Sequence, residues 1–262
     1  MLIGPEERTP ITVAEFDQLN AKSWDVNASL WSAGGGGTPL RDAMFDEIEA
    51  IVTREANMIG GTPDLVDLGC ADGAFLAQLQ RSGTTAKLHG VDQCPALIAR
   101  AQTKCANTQF MVADLSIEQS ALVKDAAIVT CMLTLIEMAQ PARALRNAAA
   151  MLRPGGLLIA TVLDPTVETL RYIEQKRGQP ETVLYDVAGE LVIGSTFEAQ
   201  GQISRAHYFR FLRPLDNYIE ELMASGFALE CIDAVQSLDF PFQVQPRAVV
   251  MRARKHAGDP YG

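Results

Sequence analysis

The sequence predicts a doubly wound α/β fold, a sheet of about seven strands with an N-terminal helical lid and a small antiparallel β insertion. Three observations carry this expectation. Val66 to Leu76, VDLGCADGAFL, reads as a buried strand, a tight glycine turn and the start of a helix. Apolar strand-like runs then alternate with amphipathic stretches up to Val162, the pattern of a parallel sheet covered by helices on both sides. After Pro165 the pattern changes to extended runs jointed at Gly189 and Gly201, which reads as antiparallel pairing.

The elements follow in order. Met1 to Thr12 holds two prolines and mixed charge and is expected to be mobile. Val13 to Ser32 is weakly helical and carries both tryptophans, Trp24 and Trp31. Gly34 to Gly37 is a run of four glycines that reads as a joint, either a passive linker or the hinge of a lid. Residues 1–39 therefore form a lid and hinge. Leu40 to Asn57 is an amphipathic helix with Met44, Ile48, Ile51 and Val52 on one face. The first strand is followed by Leu88–Asp92, by a helix Pro95–Lys104 with proline in its first turn, and by Gln109–Leu115. Ala126–Leu133 is the fourth strand, Pro141–Leu152 an alanine-rich helix that stops before Pro154, and the run up to Pro165 the fifth strand. Residues 40–165 make the ligand-binding core. Thr166–Arg177 is helical, and Val183–Val187, Glu190–Phe197 and Gln202–Leu212 are the extended runs of an insertion over residues 166–213. Pro214 opens a helix that ends near Gly226. Phe227–Val235 and Ala248–Ala253 return to the sheet, so residues 214–262 complete it, with a loose tail from His256.

Composition narrows the function. The chain has 262 residues, 48% apolar and 21% charged, with a net charge of −10. Such a surface repels phosphate backbones and anionic bilayers, so nucleic acid and membrane partners are not expected and a small molecule is. The five cysteines are scattered, without the C-x-x-C spacing of a zinc site, and imply neither a disulfide framework nor a metal. The first thirty residues lack a basic-then-apolar leader, and the cytoplasm is the expected compartment. Nothing in the sequence bears on oligomeric state.

The chemistry concentrates at strand ends. A strand that runs through a glycine turn into a helix leaves backbone N–H groups facing a ligand. Asp67 on the first strand suits a ligand with amines, hydroxyls or positive charge rather than a pyrophosphate. Asp92 ends the second strand, where an acid takes ribose hydroxyls. Asp114 ends the third and is placed to accept from an adenine amino group. The three carboxylates would line one crevice at the carboxyl edge of the sheet. A dinucleotide fingerprint is not met, because Gly69, Ala71 and Ala74 occupy its glycine positions.

This set, from about Asp64 to Asp164, resembles the class I S-adenosylmethionine-dependent methyltransferases, whose sheet is Rossmann-like. The resemblance implies methyl transfer from S-adenosylmethionine, with S-adenosylhomocysteine as product. It implies that Asp67, Gly69, Cys70, Ala71 and Gly73 form the methionine-side loop, that Asp92 and Gln93 hold the ribose, and that Asp114 and Leu115 frame the adenine. Cys131 and Met132 would touch the cofactor, and Arg41 would pair with its carboxylate. Ala71 stands where glycine is usual, which is tolerable if its φ stays negative. The segments Gly37–Arg41 and Phe211–Tyr218 resemble the small-molecule branch of that class, but Leu212 and Asp164 replace histidines frequent there. A cofactor-binding regulator or scaffold without transfer activity remains the alternative.

Transfer from a sulfonium needs an in-line nucleophile in a dry pocket, and a protonated acceptor also needs a base. His207 is the candidate base, on the expectation that an alternating strand puts it beside Phe209 and Phe211. Its alternative is a partly exposed strand histidine. Trp24, Trp31, Tyr172, Tyr185 and Tyr208 are candidate substrate-wall residues, each of which could equally be packing. Oxygen, nitrogen and carbon acceptors all stay open.

Overall fold

The structure is a computed structural model that describes residues 8–35, 37–117, 123–172, 182–236 and 247–258. Along the chain these form β1 (Thr9–Ile11), α1 (Val13–Leu30), a π-helical turn (Trp31–Gly35), α2 (Pro39–Ile59), β2 (Asp64–Leu68), α3 (Ala74–Arg81), β3 (Lys87–Asp92), α4 (Pro95–Lys104) and β4 (Gln109–Val112). They continue with β5 (Ala126–Met132), α5 (Pro141–Met151), β6 (Leu152–Leu163), α6 (Pro165–Arg171), β7 (Val183–Val187), β8 (Glu190–Ser195), β9 (Glu198–Ala199) and β10 (Gln202–Ile203). The last are β11 (Tyr208–Phe211), α7 (Leu215–Ala224), β12 (Phe227–Gln236) and β13 (Arg247–Lys255).

The main sheet has seven strands in the order β12-β13-β6-β5-β2-β3-β4. Every pairing from β6 to β4 is parallel, and β13 runs antiparallel to both its neighbours. Alternation along β6 shows why the sheet is buried on both faces. Leu158, Ala160 and Val162 join one cluster with α5 and α7, through Leu145, Met151, Tyr218 and Leu222. Leu157 and Ile159 join the opposite cluster with α2 and α3, through Ile48, Val52, Leu76 and Leu79. Strand order reverses between β2 and β5, and that switch point opens the crevice.

A second sheet, ordered β1-β7-β8-β11, forms a cap. Residues 9–11, expected to be mobile, instead pair in parallel with β7 as its edge strand. The lid and the insertion thereby share one small core, in which fully buried Phe16 of α1 packs edge-on against Phe209 and Phe211. Asn27 Nδ2 donates to the Ala206 carbonyl at 2.8 Å, and Ser23 Oγ donates to that of His207. Arg213 straps cap to core: it donates to Glu190 at 2.6 and 2.7 Å and to the carbonyls of Met138 and Ala139 at 2.8 and 3.0 Å.

Three boundaries differ from expectation. The third strand stops at Val112, before Asp114. The run Gln202–Leu212 divides into β10 and β11, because residues 204–207 bend away. Gly34 and Gly35 lie inside the π-helical turn, and Gly34 breaks its geometry with φ 127°. Within β3, His89 is buried and bonded to Asp64 at 2.6 Å on the side away from the crevice. The end of the helix expected over Thr166–Arg177 and the end of the C-terminal tail lie outside the described residues. No described helix is long and apolar enough to cross a membrane.

Candidate functional site

The glycine loop after β2 is held by the strand beside it. The N–H groups of Gly69 and Cys70 both donate to the Val91 carbonyl, at 2.8 and 3.0 Å, and that of Gly73 to Cys70 at 2.9 Å. Ala71 N–H donates to Asp92 Oδ2 at 2.8 Å. The N–H groups of Gly69, Cys70, Ala71 and Gly73 are thus turned inward, so for these four the expectation that they face a ligand is corrected. What faces the crevice is space and carboxylate. Ala71 also departs from the expected negative φ, with a value of 48°. That conformation costs an alanine about 1–2 kcal/mol, and the bond to Asp92 helps to hold it. At Gly69, with φ 73°, an added Cβ would lie 2.0 Å from Thr134 Oγ1, so only glycine fits.

The acids converge as the strand order requires. Asp67 is 2% exposed and accepts from Thr130 Oγ1 at 2.7 Å. Desolvation pushes its pKa up to about 7, with Thr130 opposing and Asp92 adding to the rise. Asp92 accepts from Ala71 and, at 2.9 Å, from Cys94 N–H, yet burial still raises its pKa. Asp114 accepts from Ser116 N–H at 2.7 Å and adds to the rise at Asp17, whose pKa goes up first through desolvation.

All three line one cavity of about 400 Å³. Gly69, Cys70, Ala71, Gln93, Leu115, Met132 and Arg41 line it with them, as do Trp24, Trp31 and Tyr208 from the cap. Arg41 donates to Asp42 at 2.7 and 3.1 Å and sits over the Phe45 ring at 5.2 Å. Five of the residues singled out in the sequence are not on the cavity wall. Gly73 supplies the left-handed N-cap of α3. Cys131 points into the main core, where burial pushes its thiol up to about 12. Tyr185 packs edge-on to Phe209 at 5.9 Å, and Tyr172 is buried at the end of α6. His207 precedes β11 in the bend, its ring 6.3 Å from that of Phe209, so the alternating strand that suggested a base is not formed.

The polar groups on the cap side were not read from sequence. Glu137 lines the cavity on the 3-10 turn after β5, and Trp24 Nε1 donates to its Oε2 at 2.7 Å. Desolvation pushes its pKa up to about 8, while the Trp24 bond opposes. Its signal was a lone acid in the apolar run Leu135-Ile136-Glu137-Met138. Glu168, 2% exposed, pairs with Arg171 at 2.5 Å and with Arg210 at 3.2 Å, and Arg210 donates to the Tyr208 hydroxyl at 2.7 Å. Asp164 has a structural place: it caps α6 through the amides of Thr166 and Val167 and pairs with Arg247. No cluster of three or more potential metal ligands occurs among the described residues.

Comparison with known proteins agrees with this architecture. Residues 40–227 match the family model described as a methyltransferase domain. A ubiquinone biosynthesis O-methyltransferase from Sodalis glossinidius is 27% identical over 163 residues, 61% of each chain. The counterpart from Caulobacter sp. is 28% identical over 169 residues, 62% of this chain and 66% of its own. The match thus spans about three-fifths of the length of such curated relatives. Among solved structures, the [4+2]-cyclase SpnF superposes with a TM-score of 0.62 at 16% identity, over 96% of this chain and 99% of its own. The Burkholderia thailandensis 1,6-didemethyltoxoflavin-N1-methyltransferase superposes with a TM-score of 0.55 at 17% identity, over 98% of this chain and 92% of its own. At these identities the structural likeness is one of fold.

Proposed function

We propose that this chain, which belongs to the methyltransferase-domain family, transfers a methyl group from S-adenosylmethionine to a small organic acceptor. The observation that carries the reading is the meeting of Asp67, Asp92 and Asp114 with the glycine loop on one cavity at the sheet's switch point. The residues fit the cofactor. Gly69 keeps its approach clear, Asp92 has lone pairs left for ribose hydroxyls, and buried Asp67 suits a cationic amine. Arg41 supplies the cation for a carboxylate. The volume of about 400 Å³ lies within the range of small-molecule sites.

The chain's residues act by holding and by excluding water. Leu40, Met44, Phe45, Trp24, Trp31 and Phe197 give the cavity dry walls, which favours spreading the sulfonium charge onto an acceptor held in line. The curated relatives are named O-methyltransferases and one structural neighbour an N1-methyltransferase, which supports a heteroatom acceptor. The test is incubation with methyl-labelled S-adenosylmethionine and a small-metabolite extract. Label transfer to a low-mass product is expected. Cofactor binding without transfer would support a regulator instead, and neither binding nor transfer would remove the proposal.

A further inference from the structure

The cavity has a second pole that the cofactor residues do not use. Four rings line its cap side in sequence: Trp24 lies edge-on to Trp31 at 4.9 Å, Trp31 to Phe197 at 5.8 Å, and Phe197 to Tyr208 at 6.0 Å. Glu137 stands at the Trp24 end. Its backbone carbonyl accepts from Asn20 Nδ2 at 3.1 Å and its Oε2 from Trp24 Nε1 at 2.7 Å. Its Oε1 takes no hydrogen bond from any described residue, and Glu137 is on the cavity wall. The carboxyl is therefore fixed by one oxygen and offers the other to the cavity.

Its surroundings set its charge. Burial opposes its ionisation most strongly and the Trp24 bond favours it, while Asp92, on the cofactor side, opposes it and Arg210, on the cap side, favours it. Asp17, Asp114 and Glu168 also line the cavity, and Arg171 and Arg210 lie against Glu168. A cation placed beside Asp92 and Glu137 drives the Glu137 carboxyl towards carboxylate.

We propose that Glu137 is the general base for the acceptor, and that the acceptor is a flat aromatic ring bearing an acidic O–H or N–H. This rests on the methyl-transfer reading above. In the step, the acceptor heteroatom's electron pair forms a bond to the methyl carbon. The carbon–sulfur bond breaks and its electron pair stays on sulfur, which becomes a neutral thioether. The acceptor's proton passes to Glu137 Oε1 and then to solvent. The rings of Trp24, Trp31, Phe197 and Tyr208 hold the flat acceptor by stacking and edge contacts.

The chain's only two tryptophans both line this pole, so its intrinsic fluorescence reports on the cavity. The test uses the full chain saturated with sinefungin, which carries an ammonium in place of the sulfonium and has no transferable methyl. Quenching is titrated with 4-nitrophenol and with 4-nitroanisole, which lacks the hydroxyl. The phenol is expected to bind at least about tenfold more tightly. In Glu137→Gln the single amide oxygen stays with Trp24 and the NH₂ faces the acceptor. The preference should then fall to about twofold or less, measured with the variant saturated in sinefungin, whose affinity falls by about tenfold or less as the charge facing its ammonium is lost. Equal binding of the two probes, no binding of either to the sinefungin complex, or a preference kept in Glu137→Gln would overturn the proposal. Failure to bind sinefungin at all would instead overturn the methyl-transfer reading beneath it.

Discussion

The cofactor half of the cavity and its cap half are built by different kinds of contact. In the cofactor half, a short loop between β2 and α3 bonds to the adjacent β3: Gly69, Cys70 and Ala71 all donate to Val91 or Asp92. In the cap half, partners come from distant parts of the chain. Trp24 meets Glu137 across 113 positions, Asn27 meets Ala206 across 179, and Ser23 meets His207 across 184. The first half is a local device repeated along a parallel sheet, and the second is a tertiary assembly. This difference teaches where sequence is readable: a local device leaves a motif, and an assembly leaves only separate residues.

The largest effect should come from splitting the two halves. Phe16→Ala removes a fully buried ring from the cap core and should cost about 3–5 kcal/mol. Amide exchange should rise in β7, β8 and β11 and stay slow in β2, β5 and β6. Uniform loss of protection would mean that cap and core are one cooperative unit. Next comes Gly69→Ala, where the 2.0 Å approach to Thr134 and the positive φ act together. A loss of about 2–4 kcal/mol in denaturant unfolding, with loss of cofactor binding, is expected.

The third prediction separates the halves by pH. Asp67 titrates near 7 in the free chain, and a bound cationic amine favours its ionised form. Affinity for S-adenosylhomocysteine should be full above that value and fall about tenfold between roughly pH 8 and 6, and Asp67→Asn should flatten the profile. A profile unchanged by that substitution would place the titration elsewhere. The smallest effect is Ala71→Gly, which relieves the left-handed alanine and should raise stability by about 0.5–1 kcal/mol. A loss of stability there would show that Ala71 makes packing contacts worth more than its strain.

Legibility followed the same divide. The strand ends at Asp67 and Asp92 were readable because a period-two apolar run, a glycine turn and an acid are all local. The parallel sheet covered on both faces was readable because helices alternate with strands. The sign of φ at Ala71 was not, since the bond from its amide to Asp92 spans 21 positions. His207 was misplaced for a related reason. Alternation was continued through residues 204–207, but tertiary bonds from Asn27 and Ser23 hold that segment in a bend. Glu137 went unread because its partner, Trp24, lies on the first helix. β1 was read as mobile because three residues carry no pattern of their own and become a strand only by pairing with β7.

Asp92 joins both halves, since it braces the glycine loop and its charge acts on Glu137 of the cap side. Isothermal titration of S-adenosylhomocysteine into the wild-type chain and into Asp92→Ala is the most direct measurement. Saturable wild-type binding, weakened by about 1.5–3 kcal/mol in the variant, is the expected result. No wild-type binding at millimolar ligand, or equal affinity in the two proteins, would contradict an adenosyl site at the open edge of this sheet.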